Sequence, residues 1–275
     1  MAEAERTSTQ IRTWLTSVLT EAARLVLTPF AEIGTLYKML VSAVFAIFRP
    51  PFRVGNYVAA IEFVGIGSIF IVSLTGFFTG AVLGLQLVEN FRKVGLENQT
   101  SAVVGFGLAR ELGPVFTALM VSSRAGSAMA AQLGSMRVSS QIDALKTMAV
   151  HPIQYLVSPR LVAGLVTVPI LTAIFNVVAV FGAWLVSVKM LALDSGIFLD
   201  NLKQQLQPED ITHGLVKASV FGVAVCLIAC RQGYHTSGGA EGVGRATNRA
   251  VVHSAIAILA LDYVLTALSL GQGLF

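Results

Sequence analysis

The feature that most constrains this chain is the length of its uncharged apolar runs. Residues 63–88 contain 26 consecutive positions without Asp, Glu, Lys or Arg. As an α-helix this run is about 39 Å long, whereas the hydrocarbon core of a bilayer is about 30 Å thick. Only 12% of all residues are charged, against about 25% in soluble domains. We therefore expect an integral membrane protein.

Further apolar runs of spanning length follow the first one. Together they predict an all-α membrane protein with five transmembrane helices, because a helix satisfies its own backbone hydrogen bonds in lipid. The predicted spans are residues 63–88, 98–123, 161–188, 211–230 and 250–270.

The first 62 residues contain no run long enough to cross a bilayer. Residues 11–30 have an apolar stripe that includes Trp14, with basic and hydroxyl side chains opposite. This pattern is typical of an amphipathic helix lying in the membrane interface. A second apolar patch, residues 39–48, ends after ten residues at Arg49. We interpret residues 1–62 as an interfacial elbow segment and residues 63–275 as the five-span domain.

The distribution of basic residues predicts the orientation. With a cytoplasmic N-terminus, the inner segments hold thirteen of the nineteen Lys and Arg residues and the outer segments hold four. Arg110 and Lys217 lie within spans. Cytoplasmic loops carry an excess of Lys and Arg, so we expect the N-terminus inside and the C-terminus outside. A net charge of +4 is too small to indicate nucleic-acid binding.

Two adjacent charges, Arg110 and Glu111, interrupt the second predicted span. A charge at the bilayer centre costs roughly 2.5–3.5 kcal/mol on insertion scales, so such residues mark a cavity, a substrate path or an ion pair. Adjacent helical residues do not face each other, so each needs its own environment. A guanidinium matches a phosphate in forked geometry, and Glu111 has Lys217, His213 or a dimer axis as possible partners. The alternative is that both only lock helices together.

Other polar and small residues in the spans have weaker functional signals. The pair Gly113-Pro114 should bend or open the helix directly after Glu111. Asp262 is expected to hydrogen-bond a neighbouring helix. Gly76, Gly80 and Gly84 recur every four residues and predict close packing against another helix. Gln86, Phe91 and Val94 are expected at the mouth of a cavity. Cys226 and Cys230 are expected to be packing residues.

The predicted cytoplasmic segments indicate a partner protein. Ser140 and Asp143 form a Ser-x-x-Asp pattern that predicts a capping box at the start of a short amphipathic helix, which His151-Pro152 ends. Such a helix either docks into a partner or lies on the lipid surface. The glycine-rich loop at residues 233–245 fits neither the phosphate-loop nor the dinucleotide pattern. ATP chemistry would therefore come from a partner, and with no nucleophile or metal site in view we expect no enzyme activity and no cofactor.

Several motifs, in order along residues 50–272, resemble the MlaE-type permeases, which are membrane subunits of ABC systems that work with MCE-domain proteins. The strongest motif runs from Ala109 to Pro114 (Ala-Arg-Glu-Leu-Gly-Pro). The others are Ser123-Arg124-Ala125-Gly126-Ser127-Ala128, Gln141-Ile142-Asp143-Ala144-Leu145, Met148-Ala149-Val150-His151-Pro152, Ser158-Pro159-Arg160, Gly244-Arg245-Ala246-Thr247 and Leu261-Asp262-Tyr263-Val264-Leu265-Thr266. His151 departs from the acidic residue often found before this proline.

The resemblance implies a homodimeric permease in a bacterial inner membrane that moves phospholipid or a related lipid. It implies a cytoplasmic ATPase that couples through the helix near residues 139–149, and an MCE-domain protein on the periplasmic side. The implied coupling residues are Ser140, Gln141, Ile142, Asp143, Leu145 and Met148. The resemblance implies that the Arg110-Glu111-Leu112 region, which continues into Gly113 and Pro114, lines the lipid cavity. Gln86, Phe91 and Val94 are placed at its mouth by their position at the outer end of the first span.

Two other functions remain open. One is an ion- or proton-coupled secondary transporter, in which Glu111, Asp262, His213 and Lys217 form a relay. Inverted repeats would favour it, but five spans do not divide into two equal halves. The other is a structural membrane anchor, for which charges inside the membrane would have little purpose.

Overall fold

The computed structural model describes residues 32–50 and 53–271, and within them the chain is helical without strands. Five of these helices are long and apolar enough to cross a membrane. The all-α, five-span fold expected from the sequence is thus confirmed. With labels used below, the spanning helices are α2 (Val54–Arg92), α3 (Glu97–Val138), α5 (Ile153–Met190), α7 (Pro208–Tyr234) and α8 (Gly239–Gly271).

Shorter helices precede or connect the spans. Helix α1 covers residues 32–47, α4 covers Gln141–Thr147 and α6 covers Ser195–Gln205. The predicted interfacial helix at residues 11–30 lies outside the described residues. The chain divides into two compact units, residues 1–42 and 43–275, and every candidate site residue belongs to the second. The domain boundary expected after residue 62 stays a prediction.

The spanning helices are longer than the apolar runs that predicted them. Helix α3 continues to Val138 instead of ending near residue 123, because Arg124 is accommodated within the bundle. Its guanidinium donates a 2.5 Å hydrogen bond to the Phe63 carbonyl and lies over the Phe63 ring. That carbonyl precedes Gly65, where α2 is interrupted between Val64 and Ile66. A charge therefore marks the edge of an apolar run without ending the helix.

The expected glycine-rich loop at residues 233–245 is mostly helical, which corrects the sequence interpretation. Helix α7 ends at Tyr234 and α8 begins at Gly239. Only Gly238 and Gly239 of this segment have positive φ, at 89° and 67°, so the sharp turn needs glycine at these two positions alone.

The glycine ladder packs α2 against α5. A Cβ atom on Gly80 would lie 1.8 Å from the carbonyl oxygen of Ala179, and Cβ atoms on Gly76 and Gly84 would lie 3.0 Å from the carbonyl oxygens of Phe175 and Ala183. The close helix packing expected of these small residues is confirmed, and its partner is a helix of the same chain.

A buried cluster at the centre of the bundle joins α3, α7 and α8. It comprises Ala118, Phe221, Val225 and Ile258. Cys226 and Cys230 are fully buried free thiols on α7, which fits the packing role expected for them.

Candidate functional site

The polar site begins at a widened turn of α3. Residues Leu108–Leu112 form a π-helical turn directly before Gly113 and Pro114. The proline has no N–H group and its ring displaces the carbonyl four residues earlier, so the helix opens locally as expected. The turn carries both Arg110 and Glu111.

Two glycines allow neighbouring helices to approach this turn closely. A Cβ atom on Gly214 of α7 would lie 1.9 Å from the carbonyl oxygen of Ala109, and one on Gly113 would lie 2.1 Å from Oδ1 of Asn176 on α5. Because α7 contacts the backbone of the turn directly at Gly214, the nearby α7 residues His213 and Lys217 lie close to the turn.

Lys217 is the centre of an ion-pair cluster, called here the Lys217 cluster, with Glu111, Asp262 and Thr266. The Nζ atom lies 2.5 Å from Oε2 of Glu111, 3.1 Å from Oδ1 of Asp262 and 2.7 Å from Oγ1 of Thr266. Three donors of one ammonium group thus meet three oxygen acceptors from two other helices. The pairing of Glu111 with Lys217 and the helix-joining role of Asp262 agree with the sequence interpretation.

Arg110 has a separate environment, as adjacent helical positions require. Its guanidinium lies 3.6 Å from Oδ1 of Asp210 and over the ring of Phe106 at 5.2 Å. Asp210 also accepts a 3.1 Å hydrogen bond from the backbone N–H of Gln207 in the capping box at the start of α7. Arg110 therefore ties the π turn to the first turn of α7.

The charged side chains of the Lys217 cluster are buried to different degrees. The Lys217 side chain is 1% exposed, whereas those of Glu111 and Asp262 are 34% and 23% exposed. A buried ammonium is tolerable only when charged and polar partners replace its hydration, and Lys217 has three. The carboxylates are the accessible part of the cluster, so a bound molecule would meet them before it met the lysine.

The expected lining residues are not all brought together. Leu112 is half-buried beside the charged pair, while Gly113 and Pro114 are buried in the helix contacts. Gln86 and Val94 are exposed and Phe91 is half-buried, near the end of α2. These three residues lie in or just after the end of α2, whereas Arg110–Pro114 lie within α3, so their place in a shared cavity stays a prediction.

The capping box expected at Ser140 and Asp143 does not form, which is a correction. Ser140 has a φ of 60° and its side chain makes no capping hydrogen bond. The Asp143 carboxylate instead accepts hydrogen bonds of 2.9 Å from Arg137 and 3.0 Å from Lys146. These bonds, first that from Lys146 and then that from Arg137, lower the pKa of Asp143. Two nearby cations outcompete a backbone N–H for this carboxylate.

The short helix α4 presents only part of its apolar face. Ile142 is fully buried within the chain, Leu145 is half-buried and Met148, just after the helix, is 64% exposed. Ser140, Gln141 and Asp143 are exposed. Ile142 thus anchors α4 to its own chain, and Leu145 and Met148 remain as its apolar surface.

Sequence reasoning missed Asp210, Thr266 and Phe106 as parts of the site. Asp210 lies just before the fourth predicted span, and Thr266 lies four residues after Asp262 on the same helical face. The latter spacing was a usable signal. Pairing Asp210 with Arg110 required knowing how α7 lies against α3.

Comparison with known proteins places the chain among permeases. The family described as Permease MlaE matches residues 57–268. A probable ABC transporter permease protein of Rickettsia conorii is 42% identical over 240 residues, covering 87% of this chain and 93% of the relative. The intermembrane phospholipid transport system permease protein MlaE of Haemophilus influenzae is 39% identical, covering 76% and 80%. A probable ABC transporter permease protein of Synechocystis is 38% identical, covering 77% and 80%.

Proposed function

Since the chain belongs to the MlaE permease family, we propose that it is the permease subunit of an ABC transporter for phospholipid. In this proposal, lipid moves between the bacterial inner membrane and a periplasmic MCE-domain partner. A separate cytoplasmic ATPase supplies the energy. The relative in Haemophilus influenzae is named for intermembrane phospholipid transport, which supports the substrate class.

The observation that carries the proposal is the Lys217 cluster in an otherwise apolar bundle. A phospholipid has an apolar body and a charged head, so its site needs an apolar cleft with a few polar anchors. Glu111 and Asp262 are partly exposed beside the π turn of Leu108–Leu112. We assign the Arg110–Pro114 segment to the wall of this lipid site, with Arg110 holding α7 through Asp210.

A second copy of the chain completes the proposed cavity. Helix α8 carries Asp262 and also exposes large apolar side chains along its length, including Ile256, Leu259 and Tyr263. A homodimer would cover part of this face and place two Lys217 clusters around one cleft.

The proposed coupling to ATP uses α4. Closure of the ATPase would press on Leu145 and Met148, which are the accessible apolar residues there. Differential binding of the closed ATPase to two arrangements of the permease would shift the equilibrium between them. This mechanism needs no catalytic group in the permease itself.

Lipid transfer by the reconstituted complex tests the proposal. The full chain, its ATPase and its MCE-domain partner are placed in vesicles with labelled phospholipid, and transfer is measured with and without ATP. We expect ATP-dependent transfer, and a reduction of about ten-fold or more in Glu111→Gln, since a lost charge-assisted hydrogen bond is worth about 1.5–3 kcal/mol. Glu241→Gln is the matched control, because Glu241 is an 81% exposed surface carboxylate.

A proton-coupled transporter is the second candidate, and one observation favours it. Lys217 joins Glu111 and Asp262 by direct hydrogen bonds, and His213 lies one turn earlier on the same helix. These are the four residues expected for a relay. Transfer that requires a proton gradient and proceeds without nucleotide would support this candidate and refute the ABC transporter.

A further inference from the structure

A cavity of about 360 Å³ lies at the opposite end of the bundle from the loops that follow α2 and α5. It is formed by Arg49, Pro50 and Arg53 ahead of α2, the first turn of α2, the turn after α4 and the start of α5. Its polar lining includes Arg49, Arg53, Asn56, His151 and Gln154. We call it the Arg49–Arg53 cavity.

The charged residues among the described lining of this cavity are all basic. Two arginines and a histidine are among its lining residues, and the described lining residues include no carboxylate. Neither Arg49 nor Arg53 has an ion pair with a described residue. The guanidinium of Arg53 lies over the Tyr155 ring at 5.1 Å, and the Gln154 amide donates a 2.5 Å hydrogen bond to the Arg49 carbonyl. The ring contact positions the Arg53 guanidinium and the hydrogen bond positions the Arg49 backbone, and neither contact neutralises a positive charge.

Two helix starts add to the positive potential. Helix α2 begins at Val54 and the π turn of α5 begins at Ile153, and neither start has a side-chain capping hydrogen bond. The N-terminal end of a helix carries about half a positive elementary charge and presents free N–H groups, which favour anions. Arg53 and Asn56 flank the first start, and His151 and Gln154 flank the second.

An apolar groove adjoins the cavity. It measures about 390 Å³ and shares Asn56, Tyr155 and Pro159 with the cavity. Its other walls are mostly apolar (Ala59, Ala60, Phe63, Met136 and Leu156), and the two polar residues among them, Gln132 and Arg160, hydrogen-bond to each other. A charged cavity that continues into an apolar groove matches an amphiphile better than a free inorganic anion.

This cavity is separate from the Lys217 cluster. Asn176 of α5 lies against Gly113 and is 23 residues from Ile153, which directly precedes the cavity residue Gln154. At about 1.5 Å per residue these positions are about 35 Å apart along α5. The cavity therefore lies near one membrane surface, which is the cytoplasmic surface in the orientation expected from the basic residues.

We propose that the Arg49–Arg53 cavity binds the phosphate of an anionic phospholipid of that leaflet, with the acyl chains along the adjoining groove. The guanidinium forks of Arg49 and Arg53 and the two helix starts meet the phosphate oxygens. Basic pockets between transmembrane helices on the cytoplasmic side are suited to anionic headgroups. The assignment of the leaflet rests on the proposed orientation, whereas the binding chemistry does not depend on transport.

Ligand-dependent thermal stability of the detergent-solubilised full chain tests this site. The probes are dihexanoyl phosphatidylglycerol, dihexanoyl phosphatidylcholine and inorganic phosphate. We expect the anionic lipid to raise the melting temperature, and its apparent affinity to fall about ten-fold or more in Arg49→Gln/Arg53→Gln, because charge-assisted contacts are lost. Arg245→Gln, a change at an exposed surface arginine, should respond like the unaltered protein.

Four results would overturn the proposal. Two concern the unaltered protein: stabilisation by phosphatidylcholine equal to that by phosphatidylglycerol, or stabilisation by inorganic phosphate as strong as by phosphatidylglycerol. Two concern Arg49→Gln/Arg53→Gln: an unchanged response to phosphatidylglycerol, or loss of the co-purifying ATPase while the response to phosphatidylglycerol is retained. The last would make the cavity a protein contact. If Arg49→Gln/Arg53→Gln does not fold, Arg53→Gln alone is measured, and it should weaken the binding of phosphatidylglycerol. A transport failure with intact lipid response would refute only the proposed function.

Discussion

At the scale of single residues, the stability of the site depends on one buried ammonium group. Lys217 is 1% exposed and its partners come from α3 and α8. Removing one partner of a buried ion pair is far more costly than removing both partners, because the remaining charge loses its partner and is only partly hydrated. The same holds for Arg110 and Asp210, whose side chains are 16% and 12% exposed.

We expect Lys217→Met to destabilise the protein by roughly 3–5 kcal/mol, since it leaves Glu111 and Asp262 facing each other. Lys146→Met is the control, because the exposed pair of Lys146 with Asp143 is worth only about 0–1 kcal/mol. Adding Glu111→Gln and Asp262→Asn to Lys217→Met should restore part of the loss. Thermal unfolding in detergent measures all of these, and equal melting temperatures for the two lysine variants would show that the cluster is not stabilising.

The sequence predicted part of this chemistry. Lys217 was one of three partners left open for Glu111, with His213 and a dimer axis, because an acid and a base inside apolar spans must compensate one another. Asp210 was not predicted as the partner of Arg110, because several carboxylates outside the spans were equally available. Arg110 is better altered together with Asp210, as Arg110→Gln/Asp210→Asn, because Arg110→Ala alone would leave a mostly buried carboxylate unpaired.

At the scale of helices, close approaches between backbones decide where the polar residues meet. Gly214 brings α7 against the π turn, and Gly80 brings α2 against α5. The apolar pattern of the sequence shows which segments are apolar enough to lie in the membrane. It does not show which helix packs against a given glycine.

We expect Gly80→Ala to destabilise the protein by about 1–3 kcal/mol or more, because its Cβ would overlap the Ala179 carbonyl and such overpacking forces helices apart. Gly107→Ala is a matched helical control, since a Cβ there has no neighbour within 4 Å, and it should be neutral or stabilising by about 0.4–1 kcal/mol. The measurement is thermal unfolding. A Gly80→Ala variant as stable as Gly107→Ala would mean that α2 and α5 do not pack as described.

The two faces of α4 should respond differently to substitution. Ile142→Ser is expected to lower the melting temperature, because Ile142 is fully buried. Leu145→Ser/Met148→Ser is expected to retain the melting temperature but to lose the co-purifying ATPase. Met190→Ser alters a similarly exposed methionine, 70% exposed at the far end of α5, and should retain the ATPase. Retention of the ATPase by the double variant would disprove docking through these residues.

At the scale of the whole molecule, five spans would place the start of α2 and the end of α8 on opposite sides of the membrane. The excess of Lys and Arg predicts which side is cytoplasmic. The same orientation assigns α4 and the Arg49–Arg53 cavity to the cytoplasmic side.

Cysteine labelling tests this orientation. Cys226 and Cys230 are buried and are replaced by alanine, and Val94→Cys or Ser237→Cys is added at an exposed position on either side. We expect a membrane-impermeant maleimide to label the variant at residue 94 in intact spheroplasts, and the variant at residue 237 only after permeabilisation. The reverse pattern would invert the orientation and move the Arg49–Arg53 cavity to the outer surface.

The sequence alone determined the class of this protein, its number of spans and the presence of charges that had to be compensated within the membrane. These properties follow from the free energy of transfer of each side chain, which is local and can be summed along the chain. Only the tertiary structure decided that Lys217 joins Glu111 to Asp262, that Arg110 binds Asp210 and that Arg49 and Arg53 share a cavity. These contacts depend on how the helices pack, and many pairings satisfy the same transfer energies.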